Sequence, residues 1–275
     1  SYEGATTINI YEGAEVRSAS VAIYHPQAGE INVYGGLVEG YCGIGIKSGT
    51  LNITGGQVLG VHDDDELSDE NSNPNGMTYD GSAIIIDSRA AYAGNVKINI
   101  SGDALVQSSY STAIREIGES AETTNVTALN VTGGKVLGAS GKAAIQLHGV
   151  TADVTSISGG TFSSKVPPEY CAVGYIPANN GDGTYTVKEG KYVIEVTSRI
   201  QGTNQTVATP TGGGQADYGE EVTVTTYAVT GFTFLGWYDS EGKQLSTKDD
   251  MTYTHKVTGD CTLIAKYAQD STRMF

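Results

Sequence analysis

The amino-acid sequence predicts an all-β protein, in which a right-handed, single-stranded parallel β-helix (a solenoid) is followed by a small C-terminal β domain. Three observations predict this fold class. A phrase of alternating apolar and polar residues that ends in glycine occurs six times along the chain. Two other short apolar elements recur between its copies. The 37 glycines and 6 prolines favour turn-rich β structure, because glycine suits tight corners and proline does not suit strand interiors.

The recurring phrase marks the strands of one predicted sheet. Its copies begin at Ile8, Ile31, Leu51, Ile98, Leu129 and Thr155. Each copy places apolar residues on one strand face, and the glycine after it indicates a turn with positive φ. A single copy cannot bury this face alone, whereas stacked copies can. We therefore expect the first residues of the first five copies to stack as one interior column.

Two further elements give each copy three short strands. One follows each glycine turn, as at 37–38, 58–59 and 105–106, and the other precedes the next copy, as at 83–86 and 113–115. One strand for each of three sheets per coil is the pattern of a parallel β-helix. The copies that begin at Leu51 and Ile98 are farther apart than any other neighbouring pair. The excess predicts an insertion, residues 62–80, that loops out of the solenoid.

These patterns divide the chain into four segments. The β-helix spans 1–166, and the repeats stop near Pro167. A hairpin-rich cap and linker spans 167–189, because a solenoid end needs its core and strand edges shielded. The C-terminal β domain spans 190–269, and 270–275 are expected to form a disordered tail.

The C-terminal domain carries a motif of aromatic residues and glycines. The pattern Gly-Phe-x-Phe-x-Gly-Trp runs from Gly231 to Trp237, between the strand-like segments 219–224 and 260–267. In this motif and its flanks the domain resembles the internalin-type B-repeat family. The preceding repeats resemble the β-helical, adhesin-like proteins of Gram-positive bacteria. Together the resemblances imply an extracellular surface protein built of tandem modules. This chain would be a monomeric fragment of it, attached to the cell through regions outside the chain.

The same motif predicts the core of the C-terminal domain. By the strand period of two, Phe232 and Phe234 face the core while Thr233 stays outside. The residues expected to join them are Ile194, Val222, Val224 and Leu263. Trp237 is the only tryptophan. We expect its ring to pack inside and its indole N–H to donate to a backbone carbonyl, with an exposed ligand platform as the alternative.

Charge and composition exclude several classes of partner. The formal net charge of -15 argues against binding of nucleic acid and anionic membrane surfaces, which repel an acidic protein. No stretch approaches the length of a transmembrane helix, so membrane insertion is not expected. The three cysteines are scattered and suggest no disulfide framework, and the four histidines form no cluster. We expect no cofactor, apart from the calcium alternative below.

The polar residue of the repeated phrase is an asparagine in five copies. These residues are Asn9, Asn32, Asn52, Asn99 and Asn130. Because their apolar neighbours point inward, the amides should point outward and fall in register. A hydrogen-bonded ladder that fixes the register of the rungs is one interpretation. Sugar binding is the other, since Tyr11 and Tyr34 follow the first two asparagines and aromatic rings beside amides suit a glycan face.

The insertion is strongly acidic. Asp69, Asn71, Asn73 and Asp80 fall at positions 1, 3, 5 and 12 of a calcium-loop count. Pro74 stands where such loops need glycine, and Asp80 replaces the longer bidentate glutamate. A solvated acidic loop is therefore the first interpretation, and calcium binding is the alternative.

The predicted β-helix makes a polysaccharide-cleaving enzyme an alternative, since some of these enzymes have that fold. Tyr24, Lys47, Asp87, Arg115 and Gln146 would form an outward row on one sheet. This row contains one acid between two bases, an arrangement that a row of surface ion pairs explains as well as catalysis does. No two carboxylates are paired on adjacent rungs, as two-carboxylate catalysis requires. We expect a non-catalytic adhesin that binds an extended glycan or host surface protein. A lyase or glycoside hydrolase, or its inactive relative, is the alternative.

Overall fold

A computed structural model describes residues 4–61, 80–88, 94–118, 124–148 and 153–270. These residues are all-β: they contain no α-helix, and they include one 3-10 turn at Pro168–Tyr170. The chain divides into two compact units, Ser1–Glu189 and Gly190–Phe275. Asp270, the first residue of the predicted tail, is among the described residues, and its backbone N–H donates to Gly231 O at 2.9 Å. The rest of the predicted tail, 271–275, lies outside the described residues.

The first unit contains three sheets, A, B and C, that the chain visits in turn. Sheet A contains β1 (Ala5–Ile10), β4 (Ala28–Val33), β7 (Gly49–Ile53), β10 (Val96–Ile100), β13 (Val126–Val131) and β16 (Thr155–Ile157). Sheet B contains β2 (Glu15–Arg17), β5 (Leu37–Gly40), β8 (Gln57–Gly60), β11 (Leu105–Ser108), β14 (Lys135–Leu137) and β17 (Thr161–Phe162). Sheet C contains β3 (Val21–His25), β6 (Cys42–Ile46), β9 (Ile84–Asp87), β12 (Ile114–Ile117) and β15 (Ile145–Gln146). All pairs among these strands are parallel, which is consistent with a β-helix-like fold.

The register of sheet A confirms the predicted interior column. Ile8, Ile31, Leu51, Ile98 and Leu129 pair in succession along β1, β4, β7, β10 and β13. The last four are fully buried, and Ile8 packs against the same core. Apolar residues stacked in register therefore form part of the core of the first unit.

The corners between sheets A and B depend on glycine. Gly36 and Gly56 have φ values of 71° and 70°, which confirms the predicted positive-φ turns. A Cβ atom on Gly56 would also lie 2.6 Å from Gly36 O of the neighbouring rung. Any side chain at this position would therefore meet both backbone strain and a steric clash.

The last rung is followed by an antiparallel hairpin. Strands β18 (Tyr175–Asn179) and β19 (Tyr185–Glu189) pair with each other, and β19 also pairs antiparallel to β17. Thr186 Oγ1 donates to Gly160 O at 2.8 Å, which ties the hairpin to the last glycine turn. In sheet B the parallel stacking therefore ends at β17, and Val187 of the hairpin joins the core of the unit.

The second unit contains a mixed sheet and a two-stranded ribbon. The mixed sheet has the order β21 (Gly214–Ala216), β20 (Tyr192–Ile200), β25 (Cys261–Gln269), β23 (Phe232–Tyr238). Strands β20 and β25 are parallel, and β23 pairs antiparallel to β25 with a register shift between Phe234 and Gly236. The ribbon consists of β22 (Glu221–Thr225) and β24 (Thr252–Lys256).

The core of the second unit largely follows the predicted pattern. Phe234, Ile194, Val224 and Leu263 are buried and Thr233 is exposed, whereas Phe232 and Val222 are only half-buried. Trp237 is fully buried, with its ring 6.4 Å from that of Phe234. The predicted indole hydrogen bond is wrong: Nε1 is buried and has no hydrogen-bond partner among the described residues.

Candidate ligand-binding surface

The five asparagines of sheet A form a continuous hydrogen-bonded row. Asn32 donates to Asn9 at 3.0 Å, Asn52 to Asn32 at 2.7 Å, Asn99 to Asn52 at 2.7 Å, and Asn130 to Asn99 at 2.8 Å. Each donor is Nδ2 and each acceptor is Oδ1 of the preceding rung. The hydrogen bonds confirm the ladder that the repeated phrase predicts. They fix the register, because a slipped strand would lose both its donor and its acceptor.

Tyr11 and Tyr34 form a stacked aromatic pair at the end of the first two rungs. Their ring centroids are 5.2 Å apart and their planes differ by 18°. Both side chains project from the surface, with relative exposures of 60% and 50%. Each tyrosine lies two residues after an asparagine of the ladder, at the corner where the chain turns from sheet A to sheet B. Later copies carry a hydroxyl residue at this position, so the aromatic pair is confined to one end of the row.

A cleft of about 720 Å³ lies over the corner and the outer face of sheet B. Its glycine floor includes Gly36 and Gly56, and its sides include the half-exposed Leu37, Leu105 and Leu137. Sequence analysis did not predict this cleft. The sequence shows leucines and polar residues in the strands of sheet B, but it does not show which of them are neighbours. The register of the sheet brings Leu37, Gln57, Leu105 and Lys135 into one row.

The cleft carries more negative than positive charge. Glu12, Glu15 and Asp103 line it, with Lys135 as the one cation among its described lining residues. The Glu12 carboxylate lies against Gly35 and the Asp103 carboxylate against Gly55, because glycine leaves room for them. Beside the cleft, Arg17 pairs with Glu15 at 3.1 Å and with Glu39. This arrangement suits ligands with hydroxyl or cationic groups and disfavours anions.

The predicted outward row on sheet C is wrong for Lys47 and Asp87, whereas Tyr24, Arg115 and Gln146 do share one register column. Tyr24 pairs with Gly45, which pairs with Ile85, and Ile85 pairs with Arg115 next to Gln146. Lys47, the residue just after β6, and Asp87 in β9 lie two residues beyond Gly45 and Ile85. Their side chains are only 1% exposed and approach to 3.0 Å between Nζ and Oδ2. The expected surface ion-pair row is therefore replaced by a buried pair, discussed below.

Asp80, the last residue of the calcium-loop count, belongs to a polar cluster within the protein. Its Oδ2 accepts hydrogen bonds from Arg115 Nη1 at 2.7 Å and from Ser82 Oγ at 2.9 Å. Burial, with a contribution from the Asp80 charge, raises the pKa of the nearby Cys42 thiol to about 12. Asp69, Asn71 and Asn73 lie outside the described residues. No group of three or more histidine, cysteine or acidic side chains in the described ranges is placed to hold a metal ion.

Glu116 is a buried acid that sequence analysis missed. Its carboxylate accepts hydrogen bonds from the hydroxyls of Ser88 and Thr124 and from the backbone N–H groups of Asn125 and His148. It lies in register with Ile86, at the corner between sheets C and A. These four hydrogen bonds compensate the burial of the carboxylate. We infer that Glu116 has a structural role and stabilises this corner. The sequence signal that could have predicted its burial is its alignment with the apolar Ile86 of the preceding rung.

The comparisons with known proteins concern the second unit. Its aromatic core and mixed sheet define a B-repeat-like β module. The family described as divergent InlB B-repeat domain matches residues 192–271, and such domains occur in bacterial surface proteins. No curated protein and no solved structure gives a significant match to the chain. In the described part of the chain, none of the structure has the length and apolar character of a membrane-spanning helix.

Proposed function

We propose that this chain is the recognition part of an extracellular bacterial surface protein and that it binds an extended glycan or a host surface protein without catalysis. One observation carries the proposal: the stacked, exposed Tyr11 and Tyr34 stand between the asparagine ladder and the cleft. The B-repeat-like second unit supports the surface location. We take the three-sheet unit as a right-handed parallel β-helix, held to the cell through regions outside this chain.

The chemistry of this surface fits a glycan well. Sugar rings present apolar C–H faces that pack on aromatic rings, while their hydroxyls exchange hydrogen bonds with amides and carboxylates. Successive rungs place the same polar groups about 4.8 Å apart, so that a long ligand can contact several rungs. The acidic cleft favours neutral or cationic ligands, and nucleic acid and anionic membranes remain outside the proposal.

A glycan array, run with and without calcium, tests the proposal. Bound glycans are then titrated against the parent chain and Tyr34→Ala. The matched control is Tyr110→Ala, which removes another exposed tyrosine of the first unit, with 51% relative exposure. We expect Tyr34→Ala to weaken binding about tenfold or more, as loss of one aromatic contact of about 1.5 kcal/mol does. Equal binding by both variants would place the ligand elsewhere, and a host protein ligand would leave the array blank.

The same protein and the glycans that it binds also distinguish the adhesin from the alternative, a carbohydrate-active enzyme. The acids near the ladder, Glu12, Glu15 and Asp103, lie in the cleft and provide the place where acid and base chemistry would occur. We expect no product from any bound glycan after prolonged incubation. Product release that is abolished by Glu15→Gln or Asp103→Asn would replace the adhesin proposal by an enzyme.

A further inference from the structure

Lys47 and Asp87 make a close contact on the outer face of sheet C. The strands β6 and β9 are parallel neighbours, and Ile46 of one pairs with Ile86 of the other. The next residues in each strand direction, Lys47 and Asp87, are therefore side by side on adjacent rungs. Lys47 Nζ lies 3.0 Å from Asp87 Oδ2, and each side chain is 1% exposed. An amine and a carboxyl group are thus held together out of water.

Described neighbours of this pair include apolar and aromatic residues. Ile85 precedes Asp87 by two residues, shares its strand face, and is fully buried. The ring centroid of Tyr24 lies 5.9 Å from Lys47 Nζ. Taking two charges out of water is costly, and a neutral product would relieve that cost. A neutral lysine amine is a nucleophile.

We propose that Lys47 and Asp87 form an intramolecular amide (isopeptide) bond in the folded protein. The lysine ammonium passes a proton to the carboxylate across their contact, which gives a neutral amine and a carboxylic acid. The Nζ lone pair then attacks Asp87 Cγ. The C–O bond to the protonated oxygen breaks, the amine loses its second proton to that oxygen, and one water molecule leaves. The reaction involves no oxidation or reduction and needs no co-reactant.

The fold holds the two reacting groups in contact, whereas in water they would meet only rarely. Two groups fixed at contact distance react as if at very high concentration, with effective molarities of about 10⁵ M or more in well-oriented cases. The product replaces two buried charges by one neutral amide, which removes their desolvation cost. The bond would join residues 47 and 87 and so close the chain segment between them into a covalent loop. That segment contains the insertion, whose residues 62–79 lie outside the described residues. The inference is independent of the ligand proposed above.

Intact mass and chemical cleavage of the full chain test the bond. We expect the purified, denatured chain to be lighter than its sequence by one water molecule. Met77 lies between the two residues, so that cyanogen bromide cuts the chain there and after Met251 and Met274. Fragments 1–77 and 78–251 remain joined if the amide exists and separate if it does not. Tandem mass spectrometry of the joined fragments must then place the junction at Lys47 and Asp87.

Three variants make the result specific. Lys47→Arg keeps the positive charge but cannot form this bond, so it should show the full sequence mass and separable fragments. Lys135→Arg, the matched change of a lysine in the cleft, should remain cross-linked. Asp87→Asn should lose ammonia in place of water. A parent chain of full mass, a water loss with separable fragments, or a junction at other residues would each overturn the proposal. These measurements use denatured protein, so the parent chain decides the matter even where a variant folds poorly.

Discussion

The side-chain amide of Asn52 donates a 2.7 Å hydrogen bond to the side-chain oxygen of Asn32 on the preceding rung. Asn52 also accepts from Asn99, so it holds two of the four ladder hydrogen bonds that join the asparagines. We expect Asn52→Ala to lower the free energy of unfolding by about 1–3 kcal/mol, because one donor and one acceptor lose their partner. Urea denaturation measures this. Asn9→Ala, at the exposed end of the ladder, removes one acceptor and should cost about 1 kcal/mol or less.

Ile53 tests the stacked core. It is fully buried in β7, between Val33 and Ile100 of the neighbouring strands. Replacement by alanine removes buried methyl groups and leaves a cavity, so we expect a loss of about 2–5 kcal/mol in the free energy of unfolding. Thr54→Ala changes the exposed neighbour and serves as the control. If both variants unfold at the same denaturant concentration as the parent, burial of Ile53 in the stacked core does not stabilise the unit.

Trp237 provides a direct optical test of the second unit. Because its ring is fully buried and it is the only tryptophan, all indole fluorescence of the chain should be blue-shifted and shielded from iodide. Unfolding in urea should shift the emission to the red and expose it to quenching. Addition of a bound glycan should leave the folded spectrum unchanged. A red, freely quenched emission from the folded chain would contradict the buried position.

The thiol of Cys42 predicts a loss of stability at high pH. Burial first, and the Asp80 charge second, raise the pKa of this thiol from 9.0 to about 12. A group whose pKa is raised on folding stabilises the protein fully below its unfolded pKa and loses that contribution as pH rises through the folded one. The Cys42 contribution should therefore decline between pH 9.0 and about 12, by about 1.4 kcal/mol per pH unit or less.

Urea denaturation at about pH 8 and about pH 10.5 checks this sign. The parent should lose more stability between the two conditions than Cys42→Ala, in which the titrating group is absent. Other titrating groups are common to both chains and cancel in the difference. An equal loss in both chains would show that Cys42 ionises without effect on folding.

The repeat sheets could be predicted because their signals are local and periodic. Apolar residues two apart indicate which strand face is buried, and the glycines that follow indicate left-handed corners; register and φ agree with both. The asparagine ladder follows from the same register. The fully buried Trp237 ring follows from its place in the aromatic motif, whereas the missing partner of its N–H depends on three-dimensional packing that no local pattern encodes.

The outer face of sheet C shows where such reasoning fails. Alternation alone places Lys47 and Asp87 at the surface, yet both are buried. The run from Ala83 to Ile86 is apolar throughout, which is typical of a strand covered on both faces. Tyr41, Cys42 and Ile85 form a separate apolar cluster, consistent with that signal. The cleft on sheet B depends on residues from distant rungs, and for this reason single-strand patterns could not reveal it.

The asparagine ladder also bears on how such a chain changes over evolution. Asn32, Asn52 and Asn99 each offer the same donor to the copy before them and the same acceptor to the copy after them. Duplication of one of these repeats in the gene would therefore leave the asparagine hydrogen bonds matched at the new junctions. The length of the stack could thus change in increments of about 4.8 Å while the ladder stays continuous.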